Sequence, residues 1–154
     1  MIAFELSDEQ RLLQQTARGF AQDVIRPVVT QVRAGAEPWP LVRPAIEQAT
    51  ALGFTRMLVP AEQGGLGLSC TDAVILLEEI GAADVGFASD YVALTACMPL
   101  MILRGGSPEQ AGLFLQAFAD APLTVLAGAQ SEPNVAGSEL MSAGRNAAFG
   151  PKLA

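Results

Sequence analysis

The sequence predicts a mainly α-helical fold, a bundle over residues 1–121 that hands over to the first strand or strands of an incomplete β-domain in 122–154. Three observations carry this. Helix-start codes recur along the chain, and the apolar residues between them repeat at the spacing of one helical face. After Pro122 the pattern changes to the short run Leu123-Thr124-Val125-Leu126-Ala127, which has the length and content of a strand.

The first helix is announced by Ser7-Asp8-Glu9-Gln10, a capping-box arrangement in which serine and glutamine each satisfy the other's backbone N–H. Leu12, Leu13, Thr16, Ala17, Phe20 and Val24 follow at near-helical spacing. Pro27 removes a donor and clashes with the preceding turn, so a kink or restart is expected before Val28 to Val32. Glu37-Pro38-Trp39-Pro40 reads as a break. A second helix then carries Leu41, Ala45, Ile46, Ala49 and Leu52 and ends at Gly53, a residue suited to the left-handed C′ position.

Pro60 to Ser69 is a glycine-rich loop, after which Ser69 or Thr71 caps a third helix with Ala73, Val74, Leu76, Leu77 and Ile80, ending near Gly81. Val85 to Leu103 is apolar on nearly all sides and is expected at the centre of the bundle. Gly105-Gly106 ends it, and Ser107-Pro108-Glu109-Gln110 starts a last helix whose inner face is Leu113, Phe114, Ala117 and Phe118. The expected core is Leu13, Phe20, Leu52, Leu76, Ile80, Leu100, Leu103 and Phe114.

Composition excludes several function classes. With 154 residues, 51% hydrophobic and 16% charged, the chain makes one compact domain and little more. A formal charge of −7 with no cluster of cations argues against nucleic acid or an anionic membrane as partner. The apolar stretch from Tyr91 to Leu103, broken by Pro99, is shorter than the ~20 residues of a membrane span. Histidine is absent, which removes Ser-His-Asp triads, Cys-His pairs and the usual zinc sites. Cys70 and Cys97 follow no secretory signal and read as two buried free thiols in a reducing cytoplasm.

Taken in order, four landmarks resemble the acyl-CoA dehydrogenase family. They are Leu6-Ser7-Asp8-Glu9-Gln10, Pro60-Ala61-Glu62-Gln63-Gly64-Gly65-Leu66-Gly67-Leu68, Glu78-Glu79-Ile80-Gly81, and the stretch from Ala129 to Glu139. The last is similar to the family's Thr-Glu-Pro-x-Ala-Gly-Ser-Asp loop, with one residue more between Pro133 and Gly137 and with Glu139 in place of aspartate. The tail from Leu140 to Ala154 shows none of the alternating strands expected next.

The resemblance implies an oxidoreductase of fatty acid metabolism, with FAD and an acyl-CoA substrate bound between a helical N-terminal domain, a β-domain and a second helical domain. It implies a homo- or hetero-oligomer, because a neighbouring subunit often completes the site. It assigns cofactor binding to Ala129, Gln130, Ser131, Gly137 and Ser138. Ser131 supplies a hydroxyl where the family has threonine, Gly137 lets the backbone approach, and Ser138 donates towards the pyrophosphate. No catalytic residue falls in this sequence, since the family's flavin-contacting motif and its C-terminal glutamate base lie outside it.

Plainer readings stand beside these. Ser131, Gly137 and Ser138 also suit a turn-rich connection between strands. Gly64, Gly65 and Gly67 match no phosphate-binding fingerprint and read as a structural loop. Glu78 and Glu79 point about 100° apart on a helix and read as solvated surface carboxylates. Ser89, Asp90 and Tyr91, which in the family lie beside the acyl chain, suit a buried polar cluster or a helix start. The same architecture serves acyl-CoA oxidases and flavin monooxygenases, and the alternative to an enzyme is a non-catalytic helical interaction module or remnant.

Overall fold

A computed structural model describes residues 5–120 and Leu126, and within them the chain is helical throughout with no strand. Helix α1 (Asp8–Phe20) continues through a π-helical turn (Ala21–Ile25) into α2 (Arg26–Arg33). Pro27 is the reason for that turn. It has no N–H for the carbonyl of Asp23, and the Arg26 N–H just before it reaches back five residues to the Ala21 carbonyl, so the wider turn absorbs the proline without breaking the rod.

Helix α3 (Pro38–Ala51) begins inside the segment expected to be a break. Its prolines at 38 and 40 occupy the first turn, where no intrahelical donor is required. The helix ends at Gly53, whose φ of 79° is left-handed. A short 3₁₀ turn, Phe54–Arg56, then carries Phe54 over the core. Leu52 is therefore 39% exposed, contrary to the sequence reading, because the chain turns away beside it and Phe54 takes the inward place.

Helix α4 (Cys70–Ala83) starts with a capping box of Ser69 and Asp72. It lies parallel to the α1–α2 rod, a relation recorded in order by Gln10 to Asp72 at 2.8 Å, Arg18 to Glu79 at 2.7 Å and Arg26 to the Ala82 carbonyl at 3.3 Å. Asp84 reverses the chain. Its N–H donates to the Ile80 carbonyl at 3.1 Å and its Oδ1 accepts the Phe87 N–H at 2.8 Å, closing one helix and opening the next.

A π-helical stretch (Phe87–Ala93) then leads into α5 (Leu94–Gly105), and α6 (Pro108–Asp120) follows with a capping box of Ser107 and Gln110. The continuous run Phe87–Gly105 is long and apolar enough, by length and composition alone, to cross a bilayer. Its inward side, Phe87, Ala88, Val92, Thr95, Ala96 and Pro99, is buried in the bundle, as befits a packed helix. The other side is open, with Met101 64% exposed, so the run is peripheral on one face and not surrounded as its composition suggests.

Phe20 centres the core, edge-on to Phe54 at 5.5 Å and tilted against Phe87 at 6.3 Å, which joins α1, the 3₁₀ turn and the π-helical stretch. Leu76 and Ile80 are fully buried, whereas Leu13, Leu100, Leu103 and Phe114 are half-buried. On α6 the inner stripe is Phe114 and Phe118. Leu113 is 66% exposed and Ala117 faces outward with it, because their stripe is offset by one residue, about 100°, from that of Phe114 and Phe118.

Candidate functional site

The loop expected to touch a cofactor, Ala129, Gln130, Ser131, Gly137 and Ser138, lies outside the described residues, as does the predicted strand apart from Leu126. Leu126 is the described residue of that segment. Its N–H points at the Oγ1 of Thr95, a fully buried residue of α5, at 3.5 Å. This contact is too long to contribute much energy, but it places the chain against α5 three residues before Ala129.

A second contact holds the same corner. The Arg56 Nη2 donates to the Phe118 carbonyl at 2.7 Å, and the guanidinium carbon lies 5.1 Å from the centre of the Phe118 ring. Phe118 is buried, and the backbone carbonyl of Arg56 accepts the N–H groups of Val59 and Leu66 at 3.2 and 3.1 Å. The glycine-rich loop, the 3₁₀ turn and the end of α6 are thus tied at one residue. No local motif in the sequence marks Arg56 for this.

The glycine-rich loop satisfies its own donors. The N–H groups of Gly65, Gly67 and Leu68 go to the carbonyls of Pro60, Val59 and Met57 at 3.1, 2.8 and 2.8 Å, leaving none to converge on a phosphate. A Cβ at Gly65 would stand 2.0 Å from the Val59 carbonyl oxygen, so glycine is required there for close packing. This accords with a structural loop.

One turn of helix before Thr95, Tyr91 packs at 5.5 Å against Phe87. These two rings, with Val28, Val29, Val32 and Val42, line an apolar cleft of about 270 Å³ whose rim carries Asp90 and the Arg33–Asp84 ion pair at 3.4 Å. Ser89 and Asp90 are exposed, with the serine Oγ 2.8 Å from the carboxylate. They form a surface pair, not a buried cluster, because the π-helical stretch turns Ala88 and Val92 inward in their stead.

The carboxylates behave structurally. Glu78 is exposed, but Glu79 is not simply solvated: its side chain is 13% exposed and accepts both arms of Arg18, at 2.7 and 2.9 Å. Those hydrogen bonds, outweighing the cost of burial, hold Glu79 below the usual carboxylate range. The Ser69 hydroxyl and then the Gln10 amide do the same for Asp72.

The cysteines depart from expectation. Cys70 and Cys97 are free, as read, but both are exposed, Cys70 at the open first turn of α4 and Cys97 on the outward side of α5. Desolvation, with a smaller push from the neighbouring Cys70, raises the Cys97 thiol above its ordinary value. Among the described residues no three metal-ligating side chains converge.

Comparison with known proteins decides what this bundle is. Residues 7–122 match the family model described as acyl-CoA dehydrogenase, N-terminal domain. The chain belongs to the acyl-CoA dehydrogenase family. It is 33% identical over 138 residues to cyclohex-1-ene-1-carbonyl-CoA dehydrogenase of Syntrophus aciditrophicus, covering 90% of this chain and 32% of that protein. It is 31% identical over 137 residues to the mitochondrial isovaleryl-CoA dehydrogenase of Pongo abelii, covering 89% and 32% respectively.

A third relative, 3-sulfinopropanoyl-CoA desulfinase of Paraburkholderia xenovorans, is 41% identical over 110 residues, covering 70% of this chain and 27% of that protein. The chain therefore spans about a third or less of the length of these relatives. The helical domain of the family is the part described above.

Proposed function

We propose that the chain is the N-terminal portion of an FAD-dependent enzyme that removes hydrogen from the α and β carbons of an acyl-CoA thioester. One observation carries this beyond family membership. Leu126, three residues before the stretch proposed to contact flavin, meets α5 at Thr95, one helical turn from Tyr91 of the apolar cleft. Cofactor loop and acyl chain would then be neighbours.

The described residues do not themselves fit a flavin. The glycine-rich loop has spent its donors, and the clefts, of about 270 to 430 Å³, are lined mainly by apolar side chains or by Ser7, Gln10 and Asp72, which already bond one another. The proposed contacts fall on Ala129, Gln130, Ser131, Gly137 and Ser138, and the flavin, when bound, supplies the hydride acceptor. The bundle's share is to bind the acyl chain and exclude water with Val28, Val29, Phe87 and Tyr91. A charge of −7 disfavours the polyanionic CoA end, which belongs against other parts of the assembly.

A second reading, removal of a sulfinate group from a CoA thioester, is favoured by the 41% identity to a protein of that name. Both readings share the CoA thioester and divide on the product. The test is the purified 154-residue chain with and without the family's β and C-terminal helical segments supplied in trans. The chain alone is expected to bind FAD weakly or not at all, because two or three hydrogen bonds from one loop, at about 1 kcal/mol each, do not offset the association cost. The supplemented assembly should turn yellow and reduce a dye acceptor with an acyl-CoA. Sulfite release would select the second reading, and a colourless, inactive assembly would leave a helical interaction module.

A further inference from the structure

The last turn of α6 has a backbone problem that the sequence makes plain. Helices leave their final carbonyls without partners, and the residue that would donate to the Phe118 carbonyl, four places on, is Pro122, which has no N–H. Arg56, 62 residues earlier, supplies the donor at 2.7 Å. Its cation also sits at the negative end of the α6 dipole and over the Phe118 ring at 5.1 Å. A charge-assisted bond, a dipole and a ring therefore converge on one guanidinium.

We propose that Arg56 is a positioning residue that latches the end of α6 and so fixes where the chain leaves the bundle. Leu126, eight residues beyond Phe118, has its N–H 3.5 Å from the Thr95 Oγ1, a second described point of the chain beyond α6. The functional consequence rests on the proposed flavin role of the stretch from Ala129 to Ser138. Arg56 then acts on the cofactor only through the path it imposes on the chain. Lysine could keep the charge near the ring but not the planar fork that stacks and donates together.

The experiment is amide hydrogen exchange on the 154-residue chain, comparing Arg56→Met, Arg56→Lys and Phe118→Leu, with the α1 and α4 amides as internal reference. Arg56→Met is expected to speed exchange at residues 116–120 and Leu126 by about tenfold or more while α1 and α4 are unchanged. Arg56→Lys and Phe118→Leu, which keep respectively the charge and the carbonyl, should each give an intermediate effect. Unchanged exchange at those residues in Arg56→Met overturns the latch. Should that variant unfold as a whole, an intermediate and local effect in the other two supports the latch, and a uniform or absent effect in both overturns it.

FAD fluorescence polarisation on the assembly completed in trans separates the two ideas. Weaker FAD binding in Arg56→Met, partly restored in Arg56→Lys, supports action on the cofactor loop. Equal binding despite local loosening overturns that action. If the unsubstituted assembly binds no FAD, the flavin reading has failed, and exchange alone decides the latch.

Discussion

Gln10 Nε2 donates to Asp72 Oδ1 at 2.8 Å, so the capping boxes of two helices 62 residues apart share a hydrogen bond. Gln10 also accepts the Ser7 N–H through Oε1 at 3.0 Å, and Asp72 accepts the Ser69 hydroxyl at 2.6 Å. Two local devices become one tertiary clamp at the bottom of the bundle. Gln10→Ala removes the reach-back and the clamp together, and should lower stability by about 1–2 kcal/mol in urea titration. Gln10→Glu keeps the reach-back but sets two carboxylates together, and should also destabilise. Two variants indistinguishable from the parent would show that the clamp contributes nothing.

Acid should release α1 from α4. Glu79 and Asp72 are both held below their ordinary values, so the folded state binds fewer protons than the unfolded chain in the acid range. Their contribution is complete above the unfolded values, about pH 5, and is lost as pH falls through the folded ones. Glu79→Gln should therefore lower the thermal midpoint at pH 7 and leave it less changed at pH 3. A difference that grows on acidification contradicts this assignment.

Two adjacent glycines should respond unequally to alanine. At Gly65 the new Cβ meets a backbone carbonyl oxygen at 2.0 Å, which requires the loop to move, and a cost of at least about 3 kcal/mol is expected. At Gly64 nothing lies within 4 Å, and only the φ of 84° opposes the change, for roughly 1 kcal/mol. Thermal midpoints of the two variants in the reverse order would overturn the loop packing.

Leu76→Ala should cost about 2–5 kcal/mol, since the side chain is fully buried between α4 and the aromatic core. Leu52→Ala, at the exposed end of α3, should cost under about 1 kcal/mol. Equal losses in denaturant titration would place Leu52 in the core after all.

Much of this fold was legible because helix starts are written locally. Ser7 with Gln10, Ser69 with Asp72 and Ser107 with Gln110 each satisfy a neighbour's backbone, so the code lies within four residues. Gly53 as the end of α3 follows from the same local chemistry. Facing was harder to read. In α5 almost every residue is apolar, so no polar stripe sets the phase, and in α6 Leu113 and Phe114 are adjacent apolar residues of which only the latter turns inward. Exposed Cys70 and Cys97 and the paired Glu79 were missed because each depends on a distant segment. Near the candidate site, which lies outside the described residues, Leu126 meets Thr95, 31 residues away, a contact that no spacing rule predicts.

The parallel packing of α1 against α4 has a consequence for synthesis. The side of α1 that faces α4 has no cover until α4 has been translated, 62 residues later as measured from Gln10 to Asp72. At roughly 5–20 residues per second, α1 waits about 3–12 s at the ribosome with that side unprotected. In that interval it is a short amphipathic segment that cannot hold its helix unaided, and a nascent-chain chaperone would find there a binding site.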